Sequence, residues 1–184
     1  MNKKTTLLFC LIGLLLSQFA NAAPDRTQLA VWANEAIIAT YTINYKTYIQ
    51  QQKEIAKYFS SNGWIAYSKA LNASKLPEAI QKNQYDVTAV ATQPPRLIIL
   101  DPTHWQAIMP ILVVYQNPQY QQRQNLKIAL GFSIAPSGQG VRGLNIDSLQ
   151  STVISPPCQC PNEQQPQEAP VPATTSPTTP GVGK

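Results

Sequence analysis

The chain has 184 residues, a formal net charge of +5 and only 12% charged residues. That charge density is well under the usual quarter, and Gln, Asn, Thr and Tyr take the place of charge. The basic residues Lys46, Lys53, Lys57, Lys69, Lys75 and Lys82 are scattered singly. They form a solvated surface, not a polyanion site, and nucleic acid is excluded as a partner.

The start of the chain reads as an export signal. Lys3 and Lys4 precede the apolar run Leu7 to Leu16, and Ala20-Asn21-Ala22 follows as an A-x-A cleavage site. The run is about ten residues long, against roughly 20 for a membrane-spanning helix. The expected cut lies between Ala22 and Ala23. The alternative is an uncleaved anchor in which Thr5 to Ala23 spans a thinned bilayer. Either way the remainder works outside the cytoplasm. Cleavage leaves 162 residues with a charge near +3, enough for one domain and a tail.

Residues 25 to about 59 read as a long helix with at most one break. Asp25 is its candidate N-cap. Leu29, Trp32, Ala36, Ile37 and Thr40 form one stripe, which Tyr41, Tyr45 and Tyr48 continue. Those aromatic residues read as core and not as a cofactor box. Ser60-Ser61-Asn62-Gly63 is turn chemistry. A second helix runs from about Gly63 to Ala73, with Trp64, Tyr67, Ala70 and Leu71 on one face. Pro77 opens a third, short helix ending near Asn83.

After Gln84 the period changes. Val87, Ala89 and Ala91 alternate with Thr88, Val90 and Thr92 as a strand, broken by Pro94-Pro95. Leu97 to Leu100 continues in extended form. Asp101-Pro102-Thr103-His104 is a turn. Trp105 to Tyr115 is a strand whose Pro110 marks an edge or a bulge, and Asn117-Pro118 turns the chain. Asn125 to Ala135 alternates most cleanly, and a last strand covers about Leu144 to Ile154. Helices first and about four antiparallel strands after them argue for an α+β domain over residues 24–154, a curved sheet with helices on one face. Hairpin-like linkers exclude a parallel sheet.

From Ser155 the composition shifts again. Residues 155–184 hold eight of the 16 prolines and no aromatic residue. This is a Pro/Thr-rich disordered tail, serving as a spacer or a short docking peptide.

Chemistry-bearing constellations are sparse. His104 is the only histidine, and it reads as a turn residue, since no nucleophile lies in a recognisable motif near it. One His and two tail cysteines make no metal site. Cys158 and Cys160 form a C-x-C pair flanked by prolines. Its favoured reading is a passive disulfide within or between chains, against reduced thiols or metal shared with a second copy. Cys10 leaves with the signal. Asp86 and Asp101 flank the first strand region, and either would be the base of a pocket enzyme if it lined a cavity. Gly138-Gln139-Gly140 with Gly143 resembles a phosphate loop in letters only, because it lies between strands. No catalytic residue, cofactor site or metal site emerges.

Several stretches taken together carry a resemblance. They are Val31-Trp32-Ala33-Asn34 with Tyr45 and Tyr48, Tyr58-Phe59-Ser60 to Gly63-Trp64, and Val87 to Val90. Trp105-Gln106 with Met109 to Tyr115, Leu126 to Ile134, and Gly143 to Ile146 complete the series. Over residues 28 to 150 the chain resembles the DotI/IcmL family of type IVB secretion systems. The resemblance implies an NTF2-like curved sheet with helices and a non-enzymatic role in an inner-membrane subcomplex. It implies other apparatus subunits as partners, homo- or hetero-oligomers, and membrane association through an uncleaved N-terminus. The signal-like start and the Pro-rich tail depart from the family pattern. The runner-up is a stand-alone periplasmic binding module or small enzyme using the cone of the fold as a pocket.

Overall fold

The computed structural model describes residues 25–154 and the backbone of 158 and 159. The element order is α1 (Arg26–Tyr41), β1 (Ile43–Asn44), α2 (Tyr48–Ala56), α3 (Ser61–Ala73), α4 (Leu76–Asn83), β2 (Asp86–Ala91), β3 (Arg96–Ile99), β4 (His104–Asn117), β5 (Tyr120–Ile134), β6 (Leu144–Val153) and β7 (Cys158–Gln159).

The long helix expected over residues 25–59 is two helices with a strand between them. Thr40 to Ile43 is a run of β-branched and aromatic residues that fits a pleated surface better than a helix. The helix ends as Thr42 turns extended and Ile43 pairs with Val87. Burying Ile43 at the sheet's edge decides the break, and no Gly or Pro is needed. Asn44 then closes an Asx turn, its Oδ1 accepting from the Lys46 N–H at 2.8 Å. Asp25 does stand at the N-cap of α1, but its side chain caps nothing. Its carbonyl accepts from Leu29 N–H instead.

All strands belong to one antiparallel sheet in the order β1-β2-β4-β5-β6. β3 lies beside β4 past the end of β2, and β7 lies beside β5 past the end of β6. The expected four strands are therefore β2, β4, β5 and β6, with short pieces added at the margins. The sheet curls into a half-barrel. Its inner face carries Trp105, Ala107, Met109, Ile111 and Val113 from β4 and Leu126, Ile128, Leu130 and Phe132 from β5, all buried.

Helix α1 fills the inner face. Leu29, Trp32, Ala33, Ala36, Ile37 and Thr40 are its buried residues. Ala33 and Ala36 let the backbone come close, and Trp32 stacks near Phe132 with ring centroids 5.2 Å apart. The Trp32 indole N–H donates to the Val141 carbonyl at 2.8 Å, which satisfies the one polar atom of a fully buried side chain.

Pro110 sits in the middle of β4, and its placement has a local cause. β2 pairs with β4 only as far as Ile111, and β3 begins at Ile108. Pro110 falls in the gap between the two, where a ladder N–H would have no strand to serve. Its carbonyl still accepts from the Thr92 N–H at 3.1 Å.

Helix α3 starts at Ser61, two residues earlier than expected, so Gly63 lies inside its first turn. Ser60 is the N-cap, its hydroxyl accepting from Gly63 N–H at 3.2 Å. A Cβ on Gly63 would stand 2.3 Å from the Ile146 carbonyl oxygen. The glycine is there because the helix start lies against β6. That contact is continuous with a parallel bridge between Phe59 and Ile146, in which Ile146 N–H donates to Tyr58 O and Ser60 N–H donates to Ile146 O. β6 bulges at the next residue, Asp147, where its register on β5 shifts between Gly131 and Phe132.

Candidate functional site

His104 opens β4 beside Asp101, and both are exposed. Asp101 Oδ1 accepts from Thr103 N–H at 2.7 Å and from His104 N–H at 2.9 Å. Its Oδ2 lies 2.8 Å from His104 Nδ1. The backbone N–H of Thr103, followed by the His104 ring, pulls the Asp101 carboxyl down to about 2. The Thr103 hydroxyl lies 3.1 Å from that same His104 Nδ1. A relay needs one ring nitrogen toward the carboxylate and the other toward the nucleophile. Here a single nitrogen meets both, so the cluster closes a turn and activates nothing.

A cavity of about 430 Å³ lies between α3, the end of α1 and β6. Its walls include Ile43, Leu71, Leu76, Val113, Leu126 and Leu149, with Tyr41, Tyr67 and Tyr115. Burial raises the pKa of all three phenols, so they stay protonated donors across the physiological range. The only charged residue among the lining residues is Asp147, which is exposed. Neither Asp86 nor Asp101 lines the cavity. Asp86 instead accepts from the Asn44 amide at 2.5 Å. The structure thus does not bring either aspartate to the place where pocket chemistry would need it. Among the described residues no group of His, Cys, Asp or Glu could hold a metal ion.

A polar clamp fixes α1 to the β5–β6 connection. Glu35 accepts from the Tyr58 hydroxyl at 2.9 Å and from Arg142 Nη2 at 2.5 Å. The Tyr58 hydrogen bond, with Arg142 behind it, holds the Glu35 carboxyl below its ordinary value. The loop itself turns tightly at Gly140, whose φ is +71° and whose Cβ would strike the Leu144 carbonyl. These glycines serve a β-connection, as their position between strands implies, and hold no phosphate loop.

The outer face of the sheet is the largest feature that sequence reasoning missed. Ile108, Pro110, Leu112 and Val114 of β4 alternate with the buried set and remain part-exposed. By register, Val90 stands beside Leu112 and Ala129 beside Ile108 on that face. Val90 is 57% exposed. Arg96, Lys127 and Arg123 stand beside Ile108, Pro110 and Val114 respectively. All three cations are exposed. Among the described residues none has a salt bridge. The signal was present in Trp105 to Tyr115, where apolar residues occupy both parities of a strand that helices cover on one side only.

Ala22, Ala23 and Cys160 lie outside the described residues. The backbone of Cys158 pairs opposite Arg123.

Helices lining one side of a curled antiparallel sheet define the architecture of the periplasmic domains of type IV secretion proteins. The chain matches a periplasmic fragment of TraM with a TM-score of 0.62 at 18% identity, over 70% of this chain and 98% of that one, a likeness of fold. It matches the periplasmic domain of DotI with a TM-score of 0.67 at 26% identity, over 72% of this chain and 99% of that one. It matches an IcmL-like type IV secretion system protein from Legionella pneumophila at 77% identity, TM-score 0.71, over 76% of this chain and all of that one. No curated protein matches the chain. The family described as type IV b secretion system, inner-membrane complex component (DotI/IcmL) matches residues 16–152. The chain belongs to that family.

Proposed function

We propose that this protein is a non-enzymatic part of a type IVB secretion apparatus, acting in the periplasm by surface contacts with other apparatus subunits. The observation that carries the reading is family membership across the whole folded domain. Two features support it. The cavity offers phenols and apolar walls with no buried acid or base, whereas the outer face offers an apolar stripe of the kind that marks protein contact. No helix among the described residues is long and apolar enough to cross a membrane. On this reading residues 1–22 are an export signal cut between Ala22 and Ala23, residues 24–154 are the working domain, and residues 155–184 are a tail. Cys158 and Cys160 form a passive disulfide, within or between chains.

The test is crosslinking of the tagged protein in living cells, followed by identification of what co-purifies. Apparatus subunits are the expected recovery. Recovery of the protein alone, under conditions where a known apparatus contact is captured, would overturn the proposal.

A further inference from the structure

β6 is the last strand on the main path of the sheet, and most of its free side is open. Ile154 N–H donates to the Asn125 carbonyl at 2.9 Å, so the backbone of Ile154 bonds toward β5. Backbone direction alternates along an antiparallel strand. The register sets Val153 on Leu126, Ser151 on Ile128 and Leu149 on Leu130. The N–H and C=O groups of Leu149, Ser151 and Val153 therefore point away from β5, and among the described residues no backbone group pairs with them. The same side of β6 is used once, at Ile146, which bonds to Tyr58 and Ser60. Beyond the bulge at Asp147 that use stops. The open stretch Ser148-Leu149-Gln150-Ser151-Thr152-Val153 holds no proline and no charged residue, so it lacks the side chains that usually keep an edge from pairing.

The cavity of about 430 Å³ opens beside this edge. Leu149, Ser151 and Val153 line it from β6, and Ala66 and Ala70 line it from α3. Val153 is 50% exposed, and Ser151, Ala66 and Ala70 are exposed as well. The mouth of the cavity thus lies between the helix and the edge. Residues directly opposite each other on neighbouring strands share a face. A strand laid on β6 would point the side chains opposite Leu149, Ser151 and Val153 into the cavity. Its intervening residues would stand on the outer face beside Gln150 and Thr152. There Lys127 lies opposite Thr152 in register, without a salt bridge among the described residues. The added strand would lie two strand spacings from it, about 10 Å, a gap that extended lysine and glutamate side chains close together.

We infer that the free edge of β6 is a strand-addition site for an extended segment of an apparatus partner, apolar at alternate positions and acidic between them. The segment pairs its backbone with Leu149, Ser151 and Val153 and seats its apolar side chains in the cavity. Main-chain bonds supply the affinity, and the cavity supplies the choice of sequence. A second copy fits less well. It would bring the same Leu-Ser-Val triplet, whose central hydroxyl leaves apolar walls uncovered, and its Gln150 and Thr152 bring no acid to Lys127. The inference rests on the proposed apparatus role only for the source of the strand.

The experiment uses the full chain, isotope-labelled for NMR, and an array of short synthetic peptides. Half of the peptides alternate Leu or Val with Glu or Thr. The other half hold the same residues with the apolar ones in one block. Alternating peptides should bind at least ten-fold more tightly than block peptides. On binding, amide exchange at Leu149, Ser151 and Val153 should slow at least ten-fold, while Ser148, Gln150 and Thr152, already bonded to β5, change little. Ser151→Pro removes one outward N–H and keeps the bonds to β5, and it should weaken binding at least ten-fold. Ala70→Trp fills the mouth from α3 without touching the edge and should do the same, so the test survives a proline variant that does not fold. No binding by any alternating peptide, equal binding of the two sets, or binding that both variants retain would overturn the inference. Protection of the three amides in the free protein would also overturn it. Protection that rises with concentration would assign the edge to a second copy, and constant protection would assign it to another segment of this chain. Subunits recovered from cells by a protein that fails this test would leave the apparatus role standing and remove only its seat at β6.

Discussion

Helices α1 and α3 lie on the same side of the same sheet and are held in different ways. α1 has six buried residues, a buried indole hydrogen bond and the Glu35–Arg142 clamp. α3 has one buried residue, Gly63. Its aromatic residues Trp64 and Tyr67 cluster with Phe59, at ring separations of 5.6 and 4.9 Å, yet they are only half-buried, and the helix roofs a cavity more than it fills one. In sequence α3 is the more amphipathic of the two, and α1 carries apolar residues on more than one side, Val31 among them exposed. Periodicity tells which side of a helix is apolar, and the space beneath it decides how much that side stabilises.

Four substitutions test this contrast, two singly and two as a matched pair. Trp32→Ala removes the side chain at the centre of α1's contact and leaves Phe132 facing a void. It should cost about 3–5 kcal/mol in urea unfolding, enough to abolish folding of a marginal domain. A loss under 1 kcal/mol would mean that α1 is not the keystone. Gly63→Ala sets a methyl against the Ile146 carbonyl, which is backbone and cannot turn aside. About 1–3 kcal/mol should be lost, and hydrogen exchange should quicken first in α3 and the start of β6. Leu71→Ala, on the cavity side of α3, should cost about 1 kcal/mol or less, whereas Ile37→Ala on α1 should cost about 2–5 kcal/mol. Equal losses from the two would erase the contrast.

The smallest effect is electrostatic. Glu35 has a folded pKa below its ordinary value of 4.5, so its contribution to stability is present above that value and is lost as pH falls through the lower folded one. The pair is half exposed, so Glu35→Gln should cost under about 1 kcal/mol at pH 7. The unfolding curves of the two proteins should converge once the pH has fallen through the lowered folded pKa of Glu35. A gap that persists in acid strong enough to protonate every carboxylate would show that the Tyr58 hydrogen bond, and not charge, does the holding.

The outer face adds a second contrast. Trp105, Ala107, Met109, Ile111 and Val113 point to the core, as any period-two reading places them. Ile108, Leu112 and Val114 lie one residue off that register and are just as apolar. Nothing local separates the two sets, because a strand's faces are equivalent until something packs on one of them. Gly63 is of the same kind. Among Ser60, Ser61 and Asn62 it reads as turn chemistry, and only the approach of β6 makes it a packing residue. Asp101 is the reverse case. Its neighbours Thr103 and His104 are in sequence contact, so its turn role was legible without the fold.

Order along the chain, residue type and short-range spacing were enough to place the helices before the strands, to find the family and to set His104 aside. These rest on interactions within a few residues, or on a pattern spread along the whole domain. The break at Thr42, the home of Pro110 between β2 and β3, the cavity that neither Asp86 nor Asp101 lines and the bare face of the sheet came from contacts between residues far apart in the chain. Such contacts are selected by what the assembled sheet leaves room for, and that space does not exist until β2, β4, β5 and β6 have closed around α1.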